Sequence, residues 1–188
     1  MTRGARFAVI LALVIAIALW VTACTPPDAA QSPGYVSGDG TVTEWAAGER
    51  PGPLEVTGVA LDGSELTLSD YRGQVVILTT WYASCPPCRA EAPDLIELDA
   101  LDGVAVVGVN VRDDAATGQA FERSFGVSYP SFDGSDGTAI QALQELVAVR
   151  AVPTALILDA DGNVAARTVG RVEASTLRAL VDAAGIQE

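Results

Sequence analysis

Polar and apolar positions change rhythm several times along this chain, and each change predicts an element. Residues 7–21 form an unbroken apolar run behind a short polar start that carries Arg3 and Arg6. From residue 25 to about 52, prolines, glycines and serines interrupt any period, which predicts a flexible tether. Leu54 to Leu68 holds two short alternating stretches around Asp62-Gly63, the pattern of a β-hairpin. Ser69 to Gly73 reads as a turn or a single helical turn. Val75-Val76-Ile77-Leu78, inside residues 74–81, is a continuous apolar run of strand length. It suits a strand buried on both faces.

Further along, Leu95, Ile96, Leu98 and Leu101 recur at helical spacing in the segment from Pro86 to Leu101. Prolines at its start fit a first helical turn, and Pro93 is expected to kink it. Residues 104–111 predict a second buried strand, 115–125 a helix stopped at Gly126, and 139–147 another helix. Ala155 to Leu158 and Val164 to Val169 flank the turn pair Asp161-Gly162 as an antiparallel hairpin, and 174–183 is a closing helix that stops near Gly185. The order is hairpin, β, α, β, α, α, β, β, α. That order implies an α/β sandwich with parallel strands inside and antiparallel ones towards an edge.

The first apolar run has 15 residues, fewer than the roughly 20 that span a bilayer core. Its length and flanks fit a signal peptide. Small residues follow in Val21-Thr22-Ala23-Cys24, which resembles a bacterial lipoprotein signal in which Cys24 is acylated and becomes the first residue once the signal is cleaved. An ordinary signal peptide and an uncleaved anchor are the alternatives, and all three place the rest of the chain outside the cytoplasm. The expected organisation is therefore a signal peptide at 1–23, a tether at 24–52 and a folded domain at 53–188.

Charge narrows the chemistry. The chain carries 24 acidic and 11 basic residues, net −13, with no His, and every basic residue is Arg. Without His there is no Ser-His-Asp or Cys-His catalytic unit and no His-containing metal site. Without Lys there is no Schiff base and no phosphate-cradling lysine. A net acid also repels nucleic acid.

Three cysteines remain to be placed. With Cys24 assigned to the export signal, Cys85-Pro86-Pro87-Cys88 stands alone at a strand-to-helix junction, a strong redox signature in an exported chain. Cys85 sits at the helix N-terminus, where amide N–H groups and the helix dipole favour the attacking thiolate. Cys88, one turn on, is placed to resolve the mixed disulfide. A structural bridge of such short span contributes little loop entropy, and a zinc site lacks ligands. The chemistry needs no cofactor beyond the Cys85–Cys88 disulfide.

The segment from Val76 to Pro93, reading VILTTWYASCPPCRAEAP, resembles the active-site segment of TlpA/ResA-like thioredoxins. The resemblance extends from about Leu54 to Ala184 and includes Val106 to Val111, Gly126 to Pro130, Val152-Pro153-Thr154 and Asp159 to Gly162. It implies a thioredoxin fold with an N-terminal β-hairpin and a central helix-containing insertion. It also implies a cis Val152–Pro153 bond facing the cysteines, in a loop that aligns a substrate polypeptide as a transient strand. Trp81 is an expected aromatic neighbour of that docking site. Glu91 matches the acid that ResA-like members carry three positions after the second cysteine. There it can raise the thiol pKa and take the proton of Cys88; a solvated glutamate is the open alternative. Two features depart from the family: Ser84 stands where Trp is usual, and Thr79 and Thr80 replace more apolar residues.

The activity implied is thiol–disulfide exchange on exported proteins by a lipid-anchored chain at the extracytoplasmic face of the bacterial cell membrane. As a reductant it would act on thiols such as those of apocytochromes c and draw electrons from a membrane dithiol donor. As an oxidase it would pass its disulfide to folding proteins and use a membrane acceptor. A copper-binding thiol module and a thiol peroxidase are further alternatives. The absence of nearby His and Met disfavours the first, and the strand-CPPC arrangement disfavours the second.

Overall fold

A computed structural model of the protein describes residues 36–37, 40–147 and 151–185. The apolar leader and Cys24 lie outside the described residues. The strands are β1 (Val36–Ser37), β2 (Gly40–Glu44), β3 (Thr57–Val59), β4 (Glu65–Thr67), β5 (Val75–Trp81), β6 (Val104–Asn110), β7 (Ser131–Asp133), β8 (Thr154–Leu158) and β9 (Val164–Val169). The helices are α1 (Pro86–Asp99), α2 (Ala115–Phe125), α3 (Thr138–Ala142) and α4 (Ala174–Gly185). β3 and β4 form their own hairpin, while the other strands form one sheet in the order β1-β2-β9-β8-β5-β6-β7. This is a thioredoxin fold with an N-terminal hairpin, and the segment between β6 and β8 carries α2, β7 and α3.

The continuous apolar runs exist because the sheet is covered on both faces. Alternate side chains of β5 point opposite ways. Val75 and Ile77 join Val106, Ala155, Ile157, Leu95 and Leu98 of α1, and Leu177 and Leu180 of α4. Val76 and Leu78 join Val107, Val109, Leu156, Leu158, the hairpin residues Val56 and Leu66, and Leu143. All seven residues of β5 are buried, so the strand forms the centre of the molecule. β6 runs parallel to it and β8 antiparallel, the latter pairing Val76 with Leu158 through Thr79 with Ala155.

Helix boundaries follow local chemistry. Asp114 caps α2 by accepting the Thr117 N–H at 2.8 Å, and Gly126 at φ 70° ends it in the left-handed region that glycine tolerates. α1 continues through Pro93, which lies on its exposed side, where water can take the carbonyl that proline leaves unpaired. The helix expected over 139–147 is shorter, and only Thr138–Ala142 is α-helical.

The domain boundary expected at residue 53 is corrected. Residues 40–44 are a strand of the main sheet, paired with β9 from Thr41–Val169 to Glu44–Ala166. Val42 is 2% exposed. A Cβ on Gly40 would come within 2.6 Å of the Arg171 carbonyl. Arg50 bridges to Asp159 at 3.0 Å, and Arg167 lies over the Trp45 ring at 5.9 Å. Thr41-Val42-Thr43 offers only one apolar residue, too little periodicity to stand out among prolines and glycines. β7 escaped for the same reason, with three residues held by parallel pairing to Gly108–Asn110.

Val42 thus tests the boundary. Val42→Ala should lower unfolding stability by about 1–3 kcal/mol, read from the urea midpoint, whereas a residue in a tether would leave the midpoint unmoved.

Candidate active site

Strand β5 ends at Trp81, and the chain turns through residues 82–84 into α1, whose N-cap is Cys85. Cys85 and Cys88 are joined by a disulfide. The two prolines at the helix start remove two amide donors. Of the helix-opening N–H groups, that of Cys88 points at the Cys85 sulfur, at 3.2 Å, and that of Arg89 is taken by the Cys85 carbonyl at 3.1 Å. One amide therefore serves the sulfur where a helix opening with other residues could offer more. Cys85 is 1% and Cys88 4% exposed, so little of either sulfur faces solvent.

The turn before Cys85 is held by the β6–α2 connection. Asp113 Oδ2 accepts the Ala83 N–H at 2.5 Å and the Asn110 Nδ2–H at 3.0 Å. Asn110, fully buried, in turn accepts the backbone N–H groups of Arg112 and Asp113. Arg89 donates to the Ala83 carbonyl at 3.3 Å, and Arg112 stacks on Tyr82 at 4.0 Å. Asp113 and Arg112 carry no expectation from the sequence. The signal available there was an Asn two residues before a run of Arg-Asp-Asp at a strand end, a common loop-closing composition.

The loop expected to dock a polypeptide does meet the disulfide. Val152–Pro153 is cis, and the Val152 carbonyl oxygen lies 4.0 Å from the Cys85 sulfur. Beside it opens a groove of about 410 Å³ lined by Pro87, Val152, Pro153 and residues 170–173. The loop is anchored by buried threonines: the Thr80 hydroxyl accepts the Thr154 N–H at 3.0 Å and donates to the Thr154 carbonyl at 3.2 Å. Trp81 does not form part of that docking edge, which corrects the expectation. It is 4% exposed and stacked on Phe121 with ring centroids 4.5 Å apart, in one apolar cluster with both cysteines, Leu61 and Ala92. Its bulk keeps it under the disulfide as packing.

Glu91 is no solvated surface acid. It is 1% exposed and belongs to the inward stripe of α1 with Cys88, Ala92, Leu95 and Leu98. Its Oε1 has no hydrogen-bond partner among the described residues. Burial pushes its pKa up from 4.5 to about 7, with Arg171 opposing the rise and Asp94 adding to it. Arg171 is itself paired to Asp94 at 3.3 Å. Among the described residues there is no cluster of three or more His, Cys, Asp or Glu able to hold a metal.

The Redoxin family model matches residues 46–182, beginning before the boundary at 53 and close to where the folded strands begin. The thiol-disulfide oxidoreductase ResA of Geobacillus kaustophilus is 33% identical over 107 residues, 55% of this chain and 59% of that protein. The chain thus matches about three fifths of that relative's length. The thiol:disulfide interchange protein HelX of Rhodobacter capsulatus is 29% identical, with 69% of this chain and 70% of that protein covered. Among solved structures, a secreted thiol-disulfide isomerase from Corynebacterium glutamicum superposes with TM-score 0.70 at 30% identity, covering 80% of this chain and 96% of that one. A DsbF homologue from Corynebacterium diphtheriae gives TM-score 0.68 at 31% identity, covering 79% and 96%.

The burial of Glu91 has a signed consequence. The folded state keeps this proton until about pH 7, while the unfolded chain releases it near pH 4.5. Stability from the protonated acid is full below about pH 4.5 and is lost as pH rises through about 7. Relative to Glu91→Gln, the parent protein should lose on the order of 3 kcal/mol across that window, measured by urea unfolding at several pH values. Parallel profiles for the two proteins would show that Glu91 ionises as an ordinary carboxylate.

Proposed function

We propose that this chain, which belongs to the Redoxin family and to its TlpA/ResA-like branch, is a thiol–disulfide oxidoreductase that reduces exported proteins through Cys85 and Cys88. The observation that carries the reading is the disulfide at the opening of α1 with the Val152 carbonyl 4.0 Å from the Cys85 sulfur. A nucleophile and a peptide-pairing edge thereby share one place.

In the dithiol form, the Cys85 thiolate attacks one sulfur of a substrate disulfide and expels the other as a thiolate, which takes up a proton. Cys88 then gives up its proton and attacks the Cys85 sulfur. The Cys85–Cys88 bond reforms and the second substrate thiol leaves. The substrate gains two electrons and two protons, and a membrane dithiol donor restores the pair. Glu91, one helical turn from Cys88 and close to half-ionised at neutral pH, accepts the Cys88 proton.

The reducing direction rests on how poorly the site stabilises a thiolate. Strong oxidants of this fold stabilise the reduced, thiolate-bearing form. Here two prolines withdraw amide donors from the Cys85 sulfur, and a buried carboxyl group lies one turn beyond Cys88. Both favour the disulfide and lower the potential. The reading extends to oxidised apocytochrome c thiols as substrates and to a site of action on the outer face of the cell membrane, held there by lipid on Cys24.

The potential of Cys85–Cys88, measured in glutathione buffers, should lie closer to about −270 mV than to about −120 mV. Insulin reduction should disappear in Cys85→Ser. A potential near the upper figure would turn the reading to an oxidase, and insulin reduction surviving in Cys85→Ser would remove Cys85 from the mechanism.

A further inference from the structure

The β5–β8 ladder stops one residue short of the docking loop. Its last paired residues are Thr79 and Ala155, and the next position on β8 is Thr154, preceded by a proline that has no N–H to give. At this point a side chain replaces the ladder. Thr80, 2% exposed, uses one hydroxyl to accept the Thr154 N–H at 3.0 Å and to donate to the Thr154 carbonyl at 3.2 Å. The neighbouring polar groups are also taken. The Thr154 hydroxyl donates to the Ala151 carbonyl at 2.5 Å, and the Gly170 N–H donates to the Pro153 carbonyl at 2.8 Å.

What is left is informative. Among the described residues the Val152 N–H has no hydrogen-bond partner, and the Val152 carbonyl faces only the Cys85 sulfur, at 4.0 Å. An extended segment can exchange both bonds of an antiparallel pair with a single residue of this kind. Where that residue stands relative to Cys85 depends on the anchor behind it. Thr80 lies on the strand that leads into Cys85, and Thr154 on the strand that starts at the loop, so the Thr80 hydroxyl links the two halves of the site.

We propose that Thr80 is a positioning residue. Its hydroxyl holds the Val152–Pro153 loop at the spacing from Cys85 at which a substrate polypeptide can pair with Val152, and so sets affinity for protein substrates without entering the redox steps. The proposal rests on the oxidoreductase reading above. It also gives a physical role to one of the two threonines that stand where related chains are more apolar. Thr79 supplies a matched control, since its buried hydroxyl has no partner among the described residues.

Thr80→Val keeps shape and burial but leaves the Thr154 N–H without the hydroxyl that accepts it, and the loop should then shift or loosen. With insulin as the probe, KM should rise about ten-fold while kcat stays unchanged. The reaction of the oxidised protein with dithiothreitol and the Cys85–Cys88 potential should also stay unchanged. Thr80→Ser should restore KM, and Thr79→Val should match the parent. If Thr80→Val does not fold, Thr80→Ala gives the same comparison. A KM equal to that of Thr79→Val overturns the proposal. So does a joint fall in kcat and in the dithiothreitol rate, because Thr80 would then act on the whole site. If the parent protein exchanges with dithiothreitol but not with insulin, the oxidoreductase reading fails, and the docking role of Thr80 fails with it.

Discussion

The pairing of β5 with β8 is the constraint on which the site depends. β5 is buried along its whole length, and its C-terminal end delivers Cys85 to the start of α1. Because β8 runs antiparallel to it, the first residues of β8 lie beside the last residues of β5. Two segments 67 residues apart in sequence, one bearing the disulfide and one the cis Val152–Pro153 bond, are thereby brought to the same end of one sheet. A parallel β8 would have placed the Val152–Pro153 loop at the far end.

Around that junction the chain uses short polar ties rather than more apolar mass. Asp113 and Asn110 hold the turn ahead of Cys85, and Thr80 holds the loop on the other side. Beneath them Trp81, Phe121 and the cysteines form a dry cluster. The combination suits a site in which a small displacement matters. Apolar packing sets the floor, while directional hydrogen bonds set the spacing of the two edges. The electrostatics are equally sparse: one amide on the Cys85 sulfur, and a buried acid whose charge is opposed by little apart from Arg171.

The fold's centre was legible from pattern alone because burial on both faces writes an uninterrupted apolar run, as in residues 75–78 and 104–109, and because Gly126 and the Asp161-Gly162 turn mark their own boundaries. Short strands were not. β2 and β7 owe their conformation to partners far along the chain, and three or five residues carry too little periodicity to reveal this. The tether reading of residues 40–52 failed for that reason.

The sequence by itself determined that Cys85 and Cys88 are the pair on which thiol chemistry can be proposed for this protein. With no His, no Lys and a single cysteine besides this pair, no competing constellation could be built, and that argument needs residue types and not coordinates. The environment of the pair was decided only by tertiary structure. Glu91 could be read equally as a surface charge or a proton acceptor until the face of α1 that meets the sheet was known. Trp81 could be placed at the surface until Phe121 was seen against it. Thr80 stood out in the sequence only as a polar residue where related chains are more apolar, because a hydroxyl gains a role only from the backbone groups that folding brings to it.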